Sequence, residues 1–158
     1  MINDPERIRE ALESASTVAV VGCSPNPARP SNEIARYLQR QGYRVVPVNP
    51  GHREILGETC YPSLPAVPET LRIDVVDVFR RSEHVAAIAD QAIARGIPFF
   101  FMQLGVEDEI SARRLEAAGV AVAMDRCILI EHRGLRIAPK SRNAGGSPGV
   151  PSMSRKGA

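Results

Sequence analysis

The residues best suited to chemistry in this chain sit where its apolar runs end. Val18-Ala19-Val20-Val21 gives way to Gly22-Cys23-Ser24-Pro25-Asn26-Pro27-Ala28-Arg29-Pro30-Ser31. Gly22 permits a tight turn and close approach of backbone to a ligand. A helix opening near Asn32 offers free N–H groups to an anion. Ser24, Ser31 and Asn32 add donors, and Arg29 brings a charge suited to phosphate oxygens. The three-glycine fingerprint of dinucleotide sites is missing: only Gly22 is present, and prolines stiffen the loop in place of glycines. The chemistry expected here is anion binding.

The second run, Arg44-Val45-Val46-Pro47-Val48, ends at Asn49-Pro50-Gly51-His52-Arg53. Sheets that bind NAD place an Asp or Glu at this point to accept from the ribose hydroxyls. No carboxylate occurs before Glu54, and His52 and Arg53 suit a phosphate on the ribose. The pattern argues against NAD and for a phosphorylated ribose, as in NADP or coenzyme A. The third run ends at Phe79-Arg80, an aromatic ring able to cover an adenine or a pantetheine arm beside a cation for a pyrophosphate. Gln103-Leu104-Gly105 and Asp125-Arg126-Cys127 bring an amide, a small residue and a thiol to the same edge. No HxH or HExxH metal motif and no P-loop is present. His52, His84 and His132 are far apart, and a Cys127–His132 pair along an extended segment would face opposite ways. No catalytic residue and no metal ligand is expected.

These loops must be positioned by a regular scaffold. Asp4-Pro5 opens a helix with an Ile8, Ala11, Leu12 and Ala15 stripe. Ser31 or Asn32 is expected to cap a second helix, carrying Ile34, Ala35 and Leu38 and closed by Gly42. His52 to Thr70, with Pro62, Pro65 and Pro68, reads as a short strand or turn and an irregular connection. Strands are expected over Ile73–Phe79, Ile97–Gln103 and Val120–Met124. Helices follow from a Ser82 cap to Gly96 and from Glu107 to Ala118, and Cys127–His132 reads as a short extended piece. Strands alternating with helices mean βαβ crossovers. The fold class is α/β, a Rossmann-like doubly wound sheet of about five mainly parallel strands with helices on both faces. Ligands in such sheets bind beyond the carboxyl ends of the strands.

Composition sets the bounds. A chain of 158 residues with 44% hydrophobic and 24% charged residues suits one globular domain. Aromatics at 4%, with no Trp, disfavour stacking on single-stranded nucleic acid. No apolar run approaches the roughly 18 residues that span a bilayer, and the N-terminus lacks signal-peptide features. A cytoplasmic protein without membrane association is expected. Three cysteines without a CxxC pair indicate neither a disulfide framework nor a cysteine-rich zinc site. Residues 134–158 hold Arg136, Lys140, Arg142, Arg155 and Lys156 and no acid. Without those five, fifteen basic residues face eighteen acids, so residues 1–133 carry −3 against +2 for the whole. The expected division is a domain over 1–133 and a basic, Gly/Pro/Ser-rich disordered tail over 134–158.

Several ordered segments carry a resemblance. Gly22-Cys23-Ser24-Pro25 with Arg29-Pro30-Ser31, Val46-Pro47-Val48-Asn49-Pro50, Ile55-Leu56-Gly57, Tyr61-Pro62-Ser63-Leu64, Asp77-Val78-Phe79-Arg80, Gln103-Leu104-Gly105 and Met124-Asp125-Arg126-Cys127 follow in sequence. Over residues 10 to 133 the chain resembles the small stand-alone CoA-binding proteins, whose fold is similar to the N-terminal CoA-binding domain of the succinyl-CoA synthetase alpha subunit. The resemblance implies that Gly22–Ser31, including Gly22, Cys23, Ser24, Arg29, Pro30 and Ser31, holds the phosphates of coenzyme A. It implies that Asn49, Pro50, His52 and Arg53 lie near the phosphorylated ribose. The synthetase usually has a Lys near His52 or Arg53. Phe79 and Arg80 match a segment along the adenosine, while Gln103, Gly105 and Cys127 match loops near the pantetheine end. Cys23 departs from the commoner residues at its place.

The synthetase acts through a second, phosphohistidine-bearing domain, and the tail-like residues after the resemblance are not expected to form one. The expectation is therefore a module that binds coenzyme A or an acyl-CoA without catalysis of its own. The alternatives are an NADP-linked oxidoreductase, a CoA-thiol redox or storage protein using Cys127 or Cys23, and an interaction protein whose basic tail recruits a partner.

Overall fold

The computed structural model describes residues 1–141. In chain order the elements are α1 (Pro5–Ser14), β1 (Thr17–Val21), α2 (Pro30–Arg40) and β2 (Arg44–Val48). A small hairpin of β3 (Glu54–Ile55) and β4 (Glu58–Thr59) follows. Then come β5 (Val75–Val78), α3 (Val85–Arg95), β6 (Phe99–Met102), α4 (Glu109–Ala117), β7 (Ala121–Met124) and α5 (Ile128–Gly134). The main sheet has the order β2-β1-β5-β6-β7, and every pair in it is parallel. The α/β, Rossmann-like class read from the sequence is the observed one.

The unbroken apolar runs follow from cover on both faces. Ile8 and Leu12 of α1, Ile34 and Leu38 of α2 and Ile128 of α5 share a core with Val18, Val20, Val75, Phe99 and Phe101. On the other face, Ile88 and Ala92 of α3 and Ala112 and Leu115 of α4 pack with Ala19, Val21, Val76, Phe100 and Met102. The chain steps from β1 to β2 on one side, then returns past β1 to β5 on the other. The switch point therefore lies between β1 and β5, at Gly22 and Phe79.

The exposed edge is managed by the segment after β2. Leu56 and Gly57 take φ of 57° and 77°, the all-positive pair of a tight hairpin turn. Tyr61 then bonds along β2, with Asn49 N–H donating to its carbonyl at 2.9 Å and its own N–H to Pro47 O at 3.1 Å. Pro47 is tolerated because β2 is the edge strand of the main sheet.

Local structure departs from the sequence expectations at four places. The α2 cap is Arg29, which makes no side-chain cap bond, because Ser31 and Asn32 are drawn back onto the preceding loop. Ser82 begins a 3-10 turn, Ser82–His84, rather than capping α3, and its hydroxyl accepts from Glu107 N–H at 2.9 Å. Residues 128–134 form α5, not an extended piece, since Ile128, Leu129 and His132 fall on a helical stripe facing α1 and α2. The packed chain also runs past residue 133. Ile137 is buried, Lys140 N–H donates to Gln41 O at 2.7 Å and Lys140 Nζ donates to Glu13 O at 2.7 Å. The rest of the tail expectation, residues 142–158, lies outside the described residues. No helix among the described residues is long and apolar enough to cross a membrane.

Candidate functional site

Five loops leave the carboxyl ends of the strands, and backbone bonds tie neighbouring loops together. Gly22 N–H donates to Val48 O at 2.8 Å, Phe79 N–H to Val21 O at 2.8 Å, Gln103 N–H to Val78 O at 3.2 Å and Arg126 N–H to Met102 O at 3.2 Å. The sequence-predicted residues thus share one edge, in the order Asn49–Arg53, Gly22–Ser31, Phe79–Arg80, Gln103–Gly105 and Cys127.

The β1–α2 loop is built from its own side chains. Ser31 Oγ accepts from Ser24 N–H at 2.9 Å, Ser24 Oγ from Asn26 N–H at 3.0 Å and Asn26 Oδ1 from Ala28 N–H at 2.9 Å. The loop carbonyls are taken from inside: Asn32 Nδ2 donates to Ser24 O at 2.8 Å and Arg36 to Pro27 O at 3.0 Å. Arg36 Nε also donates to Asn32 Oδ1 at 2.8 Å. Asn49 Nδ2 reaches across from β2 to Cys23 O at 2.8 Å, while its Oδ1 accepts from Gly51 N–H at 2.8 Å. Ser31 and Asn32, read from sequence as donors to a ligand, are buried and shape the loop. Asn32 and Arg36, four apart on α2, are the residues whose structural part sequence reasoning missed. Their spacing on one helix face was the available signal.

Gly22 is fixed by close approach. Its φ is +90°, and a Cβ there would lie 3.0 Å from Phe79 O and 3.0 Å from Arg80 Cδ. Gly105 differs: its φ is +84° with no protein atom within 4 Å of a Cβ. A turn requires it, and Asp125, itself at φ 59°, accepts from Gly105 N–H at 2.8 Å. Gln103 Oε1 accepts from Ile128 N–H at 3.4 Å, and Cys127 is the N-cap residue of α5.

Three arginines of this edge are left without an ion pair among the described residues. Arg29 and Arg53 are exposed and Arg80 half-buried, and none of them is in the ion pairs of the described residues, whose arginines are Arg9, Arg72, Arg81, Arg113, Arg114 and Arg126. Pro50 and His52 are exposed at the rim beside Arg53. Phe79 is half-buried, packed at the border of the α1/α2/α5 core.

The thiols are unlike one another. Cys23 is fully buried, and burial, with the Cys60 thiol near it, pushes its pKa up to about 12. A thiol in that state is neither accessible nor ionised, which removes Cys23 from a thiolate role. Cys127 is also buried, at 7% exposure, and borders a groove at the β7 end. His132 instead contacts two tyrosines, its Nδ1 2.6 Å from Tyr37 Oη and its ring edge-on to Tyr43. Burial lowers the pKa of His132.

One buried acid was read from the sequence only as a member of the Asp77-Val78-Phe79-Arg80 motif, with no role of its own. Asp77 lies in the middle of β5 between Val20 and Phe101 in the sheet register. It is completely buried, and neither carboxylate oxygen has a hydrogen-bond partner among the described residues. Burial raises its pKa well above the usual carboxylate range, so the neutral acid is favoured. An acid within Val75-Val76-Asp77-Val78 was the visible sign. No group of three or more His, Cys, Asp or Glu among the described residues is placed to hold a metal.

Comparison with known proteins adds the following. A family model described as "CoA binding domain" matches residues 16–133. The uncharacterized protein YneT of Bacillus subtilis is 37% identical over 125 residues, 79% of this chain and 91% of its own length. An ADP-forming acetate–CoA ligase of Archaeoglobus fulgidus is 39% identical over 69 residues, 44% of this chain but only 10% of the ligase. Among solved structures, a hypothetical protein from Pyrococcus horikoshii superposes with a TM-score of 0.79 at 35% identity, covering 84% of this chain and 92% of that one. A dinucleotide-forming acetyl-coenzyme A synthetase of Ca. Korarchaeum cryptofilum superposes with a TM-score of 0.62 at 29% identity, over 72% of this chain and 26% of the synthetase.

Proposed function

The chain belongs to the CoA binding domain family, and from that premise we propose that it binds coenzyme A along the carboxyl edge of its sheet, as a binding module rather than a ligase. The observation that carries this reading is the cationic edge around the switch point. Arg29, Arg53 and Arg80 are without carboxylate partners there, beside a loop whose carbonyls are already bonded inward. A diphosphate at α2 meets Arg29 and the first turn of the helix, where Ser31 N–H, by its first-turn position, is unused by the helix ladder. Arg80 lies against Gly22, at the point where a pyrophosphate would come closest to backbone. His52 and Arg53 supply charge for the ribose phosphate, and Phe79 an aromatic surface for the adenosine. Gln103, Gly105 and Cys127 border the path of the pantetheine arm. A cytoplasmic location accords with this ligand.

Isothermal titration with coenzyme A, dephospho-CoA and NADP tests the reading. Binding of coenzyme A near micromolar, about −8 kcal/mol, is expected. Loss of the 3′-phosphate removes a charge-assisted contact and weakens binding about tenfold or more. Selective binding of NADP would transfer the site to nicotinamide chemistry, and no binding of any of the three would refute it.

A further inference from the structure

At the β7 end of the same edge lies an open groove of about 400 Å³ that phosphate chemistry does not explain. Its apolar surface comes from Pro5 and Ile8 of α1, Leu104 after β6, and Cys127 and Ile130 at the start of α5. Leu104 and Ile130 are 56% and 57% exposed, two of only four large apolar side chains standing in solvent on the described surface. The charges at its rim are already engaged. Asp125 accepts from Gly105 N–H, and Arg126 lies 3.9 Å from Glu131.

The groove sits three strand spacings from β1, roughly 14 Å along the edge. A single ligand serving both ends must therefore be long, anionic at the end held near Gly22 and Arg29, and apolar at the other. Resting on the coenzyme A reading, we propose that this groove takes the acyl group of a CoA thioester, a straight chain of short to medium length. Cys127 belongs both to the proposed path of the pantetheine arm and to the groove wall, and Leu104 of the groove directly precedes Gly105 of that path, so the two regions are continuous. An apolar chain laid between Leu104 and Ile130 would cover both exposed side chains, which free coenzyme A leaves in water.

The test is a titration series with CoA and its acetyl, butyryl, hexanoyl and octanoyl thioesters. Affinity is expected to rise about two- to fourfold per methylene until the groove is full, the upper value being full burial of each methylene. Ile130→Asp should abolish that rise while leaving free CoA binding unchanged, and Ile130→Leu should keep it. Ile130 is more than half exposed, so neither change threatens the fold, and CoA binding by each variant checks this directly. Equal affinity for CoA and all its thioesters would overturn the acyl site while leaving the CoA reading standing. A length dependence that survives Ile130→Asp would place the acyl chain elsewhere and also overturn it. Absence of CoA binding itself would overturn both.

Discussion

Gly22→Ala is the perturbation whose cost follows most directly from the geometry. At φ +90° an L side chain carries conformational strain of about 1–2 kcal/mol. The added methyl also meets Phe79 O and Arg80 Cδ, each at 3.0 Å. Arg80 can swing its aliphatic stem aside. Phe79 cannot easily yield, because its N–H is held by Val21 O at 2.8 Å, and relieving the contact costs a further 1–3 kcal/mol or so. Together these predict about 2–5 kcal/mol, a fall in Tm of about 5–20 °C for a domain of this size. Thermal unfolding followed by far-UV circular dichroism measures it. Gly105→Ala provides the internal control. It bears comparable φ strain but has nothing within 4 Å of the new methyl, so its loss should be confined to about 1–2 kcal/mol. Equal losses for the two variants would refute the argument from close approach. Below its Tm, Gly22→Ala should also bind CoA more weakly, because Arg80 is displaced.

Other expectations can be checked on the same protein. Asp77 has a raised pKa in the folded state, so folding takes up its proton. Its contribution is most favourable below the unfolded carboxyl pKa and declines as pH rises towards the folded value. Denaturant melts of Asp77→Asn should therefore gain on the unchanged protein as pH rises from about 4 (a gap independent of pH would contradict the burial argument). Asn49→Ala removes two bonds that pin the Cys23 and Gly51 backbones and should cost about 1–3 kcal/mol, read as a lower urea midpoint; an unchanged midpoint would mean the loops hold without it. Cys23 should react with a thiol reagent only as fast as the protein opens, whereas immediate labelling of the native fold at Cys23 would contradict its burial.

The sheet was legible because its strands are mostly apolar runs, with a single acid at Asp77, that stop at polar or small residues such as Gly22, Asn49, Gln103 and Asp125, a pattern that two-sided cover imposes. The strand-end loops were legible for the same reason, since the ends of the runs are the ends of the strands. Local chemistry was harder to read. Ser31 and Ser82 have the residue type of helix caps, yet both hydroxyls accept from backbone N–H groups of neighbouring loops. That is a tertiary choice invisible to spacing. The α5 segment was misread as extended because seven residues are too few to show helical period. Residues 135–141 were grouped with the tail by composition, although Gly42, whose Cβ would lie 2.5 Å from Lys140 O, is the residue that lets that segment close on the domain. Asp77 was given no role of its own within the Asp77-Val78-Phe79-Arg80 motif because hydrophobic neighbours mask a single acid.

The β1–α2 loop has Pro25, Pro27 and Pro30 within it and three side chains bonded back to its own N–H groups, so its shape exists before any anion arrives. On the coenzyme A reading proposed above, an approaching phosphate would meet a finished surface, and little of the contact energy would be diverted into ordering the chain. Encounter would then be governed by diffusion in the field of Arg29, Arg53 and Arg80, and added salt should lower the association rate. Discrimination between related ligands falls accordingly to how long each one stays.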